Sequence, residues 1–553
     1  MSFKKTNISY KDSGQFSKLL MDYVAGDEKL KPFYEYSPSV KGFGEAIKKM
    51  SGYDYPRKVL VDSLTEYYNR NVPGMASDAT LKNIQKLEDK NCYTVTTGHQ
   101  LCLFTGPLYF IFKIITVINL AEKLNKEYPS NHFVPVYWMA SEDHDFAEIN
   151  HAFLFGKKVE WSHENIGGPV GKLPLSYFSP ILENLFAIMG EGENTADLKK
   201  IIADSYSSEK TLAEATFSFV NALFGRFGLI VVEPDNSSYK QVYSPIITDE
   251  LLNGNSFKIV TETNKKLADI GIEPQVHARE INLFYVDENG RNRIEKLPNP
   301  AVVGGDPRVD PINSVSPYKI VGTDKVFTEA EIINEVKSSP EKFSPNVILR
   351  PVYQQMLLPN IAYIGGPSEM AYWLQLKGIF ENYNVPFPVL MPRNNAMIIT
   401  KPITPKMAKL NLKINDLFQD IDALIKEFLS QNSDGLPDFE KEKALLLEAY
   451  NSMGNKVKEV DATLVATTEA ELQKQLNALK NLEAKLTRVL KQKEETSLAQ
   501  IRKLKEYLFP GGSLQERTDN FIPLYLQQGP AFFDILKENF DPFGFGLEVL
   551  VEE

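Results

Sequence analysis

Hydrophobic and polar positions follow three different rhythms along the 553 residues. Up to about residue 90 the spacing is helical, with polar, Tyr-rich connections. Arg57-Lys-Val-Leu-Val-Asp-Ser-Leu-Thr-Glu-Tyr-Tyr is one such run, and it carries packing rather than chemistry. The rhythm changes at Asn91. Tyr93-Thr-Val-Thr-Thr is short and β-branched, as a buried strand should be. The turn Gly98-His99-Gln100 follows, then Leu-Cys-Leu-Phe-Thr105-Gly106-Pro107 and an apolar helix from Leu108 to about Leu124. Pro107 is expected in the first helical turn, where its missing N–H costs nothing. Phe133 to Ala140 forms the next strand and ends abruptly in Ser141-Glu142-Asp143-His144-Asp145. Strand, polar turn, helix, strand is the rhythm of a parallel, doubly wound sheet. Ligands of such sheets bind beyond the carboxyl ends of the strands.

Residues 151 to 345 are mixed. Gly228 to Asp235 predicts another buried strand with a polar end. Ile281 to Ile294 predicts a hairpin turning at Asn289-Gly290, and with its neighbours it reads as an insertion in the core. Val347-Ile-Leu-Arg350-Pro is expected as a strand whose exit carries Gln354-Gln355. Ile361-Ala-Tyr-Ile is another, meeting Gly365-Gly366-Pro367-Ser368-Glu369 at the start of a helix from Met370 to about Tyr383. Val389-Leu-Met-Pro-Arg393 closes the core.

From about 404 to 508 apolar residues recur at alternating spacings of three and four, a heptad-like stripe. Leu410, Ile414, Leu417, Ile421, Leu424 and Phe428 form one run. Leu446, Tyr450, Met453, Val457, Val460 and Leu464 form a second, and a third starts at Leu472. The third is one residue out of phase with the second, which marks either a stutter or a turn capped by Thr468-x-x-Glu471. Ser430-Gln-Asn-Ser-Asp-Gly-Leu-Pro437 is a turn, so at least one pairing is antiparallel. The segments either cover each other or also pair with a second copy, and a homodimer is expected. The domain reading is a helical segment over 1–90, an α/β core over 91–403 with insertions around 151–345, an antiparallel coiled coil over 404–508, and a tail over 509–553 that returns to the core.

Charge and cysteine content narrow the class. Lys and Arg number 61 against 72 Asp and Glu, a net charge of −11, which argues against a nucleic-acid partner. Cys92 and Cys102 belong to no CxxC pair, so a structural zinc site is not expected and buried, reduced thiols are. The first residues lack an apolar signal segment, and no apolar run reaches the ~18 residues that span a bilayer. A cytoplasmic protein with no membrane partner is expected.

The chain has no GxxxxGK[ST] phosphate loop, no GxGxxG after a strand, no HExxH and no Gly-x-Ser-x-Gly. Its candidate chemistry lies in the polar loops at the strand ends. Gly98 lets backbone approach a ligand, and His99 with Gln100 can contact an anion or move a proton. Thr105-Gly106 opens a helix whose free N–H groups suit an anion. The plainer reading is a capping turn with a hydrogen-bonded histidine. Glu142, Asp143, His144 and Asp145 are the densest titratable cluster and the candidate catalytic group; the plainer reading is a solvated loop. No metal is assigned to them. Arg350 with Gln354, and Arg393, suit carboxylates or phosphates. Gly365, Gly366, Ser368 and Glu369 suit an anion at a helix start, although Glu369 fits equally as a first-turn acid.

Taken together, Tyr93-Thr-Val-Thr-Thr-Gly-His-Gln-Leu-Cys-Leu-Phe-Thr-Gly-Pro-Leu-Tyr, Pro135-Val-Tyr-Trp-Met-Ala-Ser-Glu-Asp-His-Asp-Phe, Ile364-Gly-Gly-Pro-Ser-Glu-Met-Ala-Tyr-Trp-Leu-Gln-Leu-Lys and Ser513-Leu-Gln-Glu-Arg resemble the cysteine ligase family of bacillithiol biosynthesis, the BshC family, over essentially the whole chain. The resemblance implies a Rossmann-like parallel-sheet core with connecting-peptide insertions, plus a C-terminal α-helical coiled coil that makes a dimer. It implies ligation of cysteine to glucosaminyl malate as an amide, and an ADP-type adenine nucleotide (ATP/ADP) pocket apart from the central cleft. The sequence departs from the pattern at Gly98-His99-Gln100, where the family often has Gly-Gln-Gln, so a positioning role suits His99 better than an acid–base one. It also lacks the Lys-Met-Ser-Lys-Ser-like loop of class I synthetases, so adenylate chemistry does not follow. Two other readings fit the residues alone: a non-catalytic, nucleotide-sensing assembly protein working through its coiled coil, and a nucleotidyltransferase acting on another small acid.

Overall fold

A computed structural model describes residues 2–163, 168–288, 290–298, 317–432 and 439–553. The chain divides into two units. One comprises Phe3–Met397 with Leu514–Leu550; the other is built mainly from Ile398–Ser513.

The first unit is organised by a five-stranded, all-parallel sheet. Its strands in chain order are β1 (Cys92–His99), β2 (His132–Met139), β3 (Ile230–Val232), β4 (Asn360–Gly365) and β5 (Val389–Pro392). The spatial order is β5-β4-β1-β2-β3. β1 and β2 run in register from Cys92 opposite His132 to His99 opposite Met139. Both faces are covered, which is why these strands are near-continuous apolar and β-branched runs. The chain leaves β1 towards β2 on one side and later returns to its other side as β4, so the strand order reverses between β1 and β4. A crevice opens at the carboxyl ends at such a point.

Helix α1 (Tyr109–Glu127) joins β1 to β2 and is buried on nearly every side. An all-round apolar helix needs cover on both sides. The sheet supplies one; the other is the helix Ala531–Asn539 and its end, where Phe540 meets Phe112 edge to face at 5.2 Å. Of residues 509–553, Leu514–Leu550 belongs to the sheet's unit, whereas the residues up to Ser513 and Val551–Glu553 belong to the other. Among the described residues no helix is long and apolar enough to cross a membrane.

Between β1 and α1 the backbone makes a tight turn with positive φ at Phe104 (51°), Thr105 (73°) and Gly106 (64°). A Cβ on Gly106 would lie 2.6 Å from that of Cys102, so only glycine fits. Asn520 holds the turn shut: its Nδ2 donates to the carbonyls of Phe104 (2.9 Å) and Gly106 (2.7 Å). Pro107 lies just before the helix, which begins at Tyr109, rather than inside its first turn.

The structure corrects several expectations. Val347–Pro351 is not a strand. The Asn346 side chain accepts from the N–H groups of Ile348 and Leu349, and helix α2 (Arg350–Leu357) starts there with Pro351 in its first turn. Arg350 therefore stands at a helix start, not a strand exit. The strand is Phe343–Pro345, at the edge of an inserted five-stranded antiparallel sheet. The predicted hairpin pairs Leu283–Asp287 with Gly290–Lys296 in that sheet, while Asn289 lies outside the described residues. The helix predicted from Met370 to Tyr383 is two helices, α3 (Pro367–Trp373) and Lys377–Asn382. Gln375 breaks it, because its buried amide bonds the backbone at Gln275 and Val276. Strand Phe3–Ile8 interrupts the helical N-terminal segment.

In the second unit, α4 (Glu440–Val460) and α5 (Val465–Lys493) form an antiparallel hairpin, locked where Lys443 meets Glu483 at 2.8 Å. It turns at Asp461, whose side chain accepts the N–H of Thr463. The turn thus falls seven residues before Thr468, which lies inside α5 and bonds the carbonyl of Leu464. Of the predicted turn at 430–437, residues 433–437 lie outside the described residues. A small core of Leu410, Leu424, Ile425, Phe428, Leu498 and Ile501 closes the root of the hairpin.

Asn520→Ala leaves two buried carbonyls of a strained turn without a donor. It should destabilise the first unit by roughly 2–4 kcal/mol, read from the urea midpoint.

Candidate active site

Beyond the carboxyl ends of β1, β2 and β4 lies a cleft of about 940 Å³. It brings together Gly98, His99, Gln100, Glu142, Asp143, His144, Arg350, Gly366, Ser368, Glu369 and Arg393 from the predicted set. It does not include Thr105, Gly106, Asp145, Gln354 or Gly365. The turn at 105–106 cannot cradle an anion, since the N–H of Gly106 bonds Leu103 and that of Leu108 bonds Asp519. Asp145 is exposed ahead of a short helix. Gln354 is buried behind the wall, where its Oε1 accepts from Arg350 at 3.0 Å. Gly365 is buried and its carbonyl accepts the N–H of Arg393.

One wall is cationic. Arg350 donates to Gln354 and to the hydroxyl of Tyr372 (3.0 Å), and stands over the Tyr363 ring at 5.8 Å. Arg393 is 3% exposed and paired to Glu516 at 2.7 Å; its Nε is buried with no hydrogen-bond partner among the described residues. Lys113, the single cation on the buried face of α1, donates to the carbonyl of Gly98 (3.0 Å) and pairs with Glu369. Burial works against the Glu369 carboxylate. Even so, Lys113, the Tyr363 hydroxyl (2.6 Å) and the Gly366 N–H (2.9 Å) hold its pKa below the ordinary value. Glu369 thereby caps α3 as a first-turn acid. Gly98 lies where the walls converge: a Cβ there would sit 3.3 Å from the Tyr363 hydroxyl and 3.4 Å from Arg350, a tight fit.

A second set of lining residues carries carboxylates. Gln100 donates to both Asp143 and Glu148 at 2.7 Å. Burial raises the Asp143 pKa, but hydrogen bonds from the backbone N–H of His144 and from Gln100, with Arg291 nearby, bring it well below the ordinary range, so this carboxylate stays charged. His144 is held at Nδ1 by Arg291 (2.9 Å). Glu142 faces the cleft but pairs with Lys240, a fully buried lysine. Among the described residues no three His, Cys, Asp or Glu side chains converge as a metal site.

His99 is neutral. Burial, reinforced by Lys113 and Arg393, pushes its pKa down to about 3. Its ring lies against Tyr109 and Phe110, with Nε2 3.8 Å from Cys102 Sγ. Burial pushes the Cys102 thiol up to about 12, so it is no nucleophile.

Lys113, Glu148, Arg291 and Tyr109 are functional candidates that the motif reading passed over. Lys113 left one trace, a lone charge within an apolar helix; Arg291, in an insertion hairpin of ordinary polar sequence, left none.

A doubly wound parallel sheet with a charged cleft at its switch point defines a Rossmann-like small-molecule site. The family described as "Bacillithiol biosynthesis BshC, N-terminal Rossmann-like domain" matches residues 1–394, and "Bacillithiol biosynthesis BshC, C-terminal coiled-coil domain" matches residues 396–552. The chain belongs to this BshC family of bacillithiol biosynthesis. It is similar to a Flavobacterium psychrophilum protein named "Putative cysteine ligase BshC", with 40% identity over 97% of each chain. Relatives of the same name occur in Christiangramia forsetii, with 38% identity over 98% of each, and in Bacillus cereus, with 28% identity over 94% of this chain and 95% of the relative.

The state of His99 sets a pH dependence. Unfolded, it takes up a proton near pH 6.5; folded, it resists protonation to about pH 3. The unfolded state therefore binds more protons in that window, and stability falls as pH drops through it. His99→Gln should lose less stability than the wild-type chain between pH 7 and pH 5, by at most about 2 kcal/mol, in paired denaturant titrations.

Proposed function

We propose that the cleft joins the carboxyl group of cysteine to the amine of glucosaminyl malate, forming the amide of bacillithiol. The observation that carries this reading is that one cleft is lined by groups of both charges. Asp143 and Glu148, bridged by Gln100, suit an ammonium; Arg350 and Arg393, the latter with an unpartnered Nε, suit carboxylates. The two substrates carry those groups. The name borne by the relatives supports the same reaction.

Each residue then has a distinct task. Arg350, Arg393 and Ser368 orient carboxylates. Gly98 and neutral His99 line the floor where the two reactants meet, and Gln100 fixes the acidic pair. Glu142 balances Lys240. Condensing an ammonium with a carboxylate releases water and runs uphill in water, so the cysteine carboxyl needs activation. We assign that supply to an adenine nucleotide. The arginine wall fits phosphate as readily as carboxylate, whereas the turn at Thr105-Gly106 does not fit it. A reducing cytoplasm is the compartment we assign, in keeping with two free, buried cysteines.

Purified protein with cysteine, glucosaminyl malate, ATP and magnesium should yield the amide, detected by mass, together with ADP or AMP. ADP indicates an acyl phosphate and AMP an adenylate. Bound substrates without product would favour the non-catalytic assembly reading. Arg350→Gln should raise the KM for a carboxylate substrate about 10- to 100-fold, the worth of one charged hydrogen bond.

We also propose that the coiled coil pairs with that of a second copy. No side chain of α4 or α5 is buried, and Leu445 (64% exposed) and Val460 (87%) lie among several exposed apolar residues on the hairpin. Light scattering should give the mass of two 62.5 kDa chains, and Leu445→Glu with Leu482→Glu should return one. A wild-type monomer at micromolar concentration would remove the dimer.

A further inference from the structure

Arg291 belongs to the inserted antiparallel sheet, yet it reaches the cleft and touches the candidate catalytic imidazole. The residue is 9% exposed, and its guanidinium is held on three sides. Nε donates to Ser344 Oγ at 3.1 Å, the second terminal nitrogen to the Pro345 carbonyl at 3.0 Å, and the plane stacks on Phe284 at 3.9 Å. The remaining terminal nitrogen lies 2.9 Å from Nδ1 of His144, whose ring also meets Phe284, at 5.4 Å.

A guanidinium has donors and no acceptor. Nδ1 of His144 must therefore receive the bond through a bare lone pair, which leaves the ring proton on Nε2. One competitor faces the same atom: Asp143 Oδ1, at 3.5 Å. That distance is too long for a good hydrogen bond, and both Asp143 oxygens are engaged, Oδ1 by the backbone N–H of His144 (2.8 Å) and Oδ2 by Gln100 (2.7 Å). Arg291 wins the atom.

We propose that Arg291 is a positioning residue that fixes His144 in the Nε2–H form, so that the imidazole serves the cleft as a hydrogen-bond donor and not as the base that accepts the amine proton. The natural recipient of that donor is a substrate oxygen, either a carboxylate or the acyl oxygen on which charge gathers during amide formation. This catalytic meaning rests on the ligase reading; the tautomer assignment does not. Ser344 and Pro345 belong to the insertion too, so the inserted sheet sets the protonation pattern of a residue on the loop after β2.

The test is long-range ¹⁵N–¹H NMR on the full chain labelled at its six histidines, with His144 assigned by the loss of its signals in His144→Gln. At about pH 8, where an ordinary histidine is neutral, wild-type His144 should show the Nε2–H pattern. Arg291→Gln should shift it towards Nδ1–H, facing Asp143, and Arg291→Lys, which lacks the fork, should restore the wild-type pattern only in part. An Nδ1–H pattern in the wild-type chain overturns the proposal even if no variant folds. An unchanged pattern in a folded Arg291→Gln protein overturns it as well. Where turnover is measured, Arg291→Gln should lower kcat at least tenfold with KM changed less than threefold; a change confined to KM would overturn the donor role while leaving the ligase reading intact.

Discussion

The pairing of Arg393 with Glu516 ties the cleft to the end of the chain. Arg393 follows β5, Glu516 arrives from the returning tail, and both side chains are almost wholly out of water. Burying two charges is costly unless every direction is satisfied. Here one Glu516 oxygen takes the guanidinium and the other takes the N–H of Ala396, while Arg393 also donates to the Asn394 carbonyl. Removing Glu516 alone would strand a buried cation, a loss of about 3–5 kcal/mol. The pair fixes the side of the guanidinium that faces the tail, and Nε stays buried with no hydrogen-bond partner among the described residues. Cleft geometry and tail docking are thus one problem with one solution.

A second layer of order is the sorting of charge. The same cleft holds cations, among them Lys113, Arg350 and Arg393, and carboxylates, among them Glu142 and Asp143, yet they are not all cancelled pairwise. Lys113 is matched by Glu369 and Glu142 by Lys240, both on fixed partners. Arg350 is held by neutral groups, and Asp143 mostly by neutral donors. Charges held in place by neutral hydrogen bonds keep their field for a ligand, which is the condition for preorganised recognition.

The sequence made the architecture readable wherever pattern and packing agree. The β-branched run at Tyr93, the apolar stretch at Phe133 and the polar clusters after each needed no structure to be assigned to strands and strand ends. The heptad stripes announced the coil. Errors arose where one side chain overrode the local pattern: Asn346 starts a helix inside Val-Ile-Leu, Gln375 breaks a helix with a buried amide, and Asp461 turns the coil ahead of the apparent phase slip. Site residues were legible when they fell in the strand-end loops. Lys113 and Arg291 were not, because their roles come from what they reach across space. Thr105 and Gly106 looked like an anion cradle because a glycine before a helix has that signature, whereas here the glycine serves the strained turn.

That turn has a consequence for how the protein is made. Its clamp, Asn520, lies 416 residues further along the chain than Phe104, and the cover over α1 comes later still. At ~5–20 residues per second, a ribosome needs roughly 20–80 seconds to span that distance. Throughout that interval the long buried helix α1 and its strained entry are already synthesised but have no lid. The nascent chain must hold this surface in waiting, and this part of the native core closes only once the segment from Asn520 to Phe540 has been made.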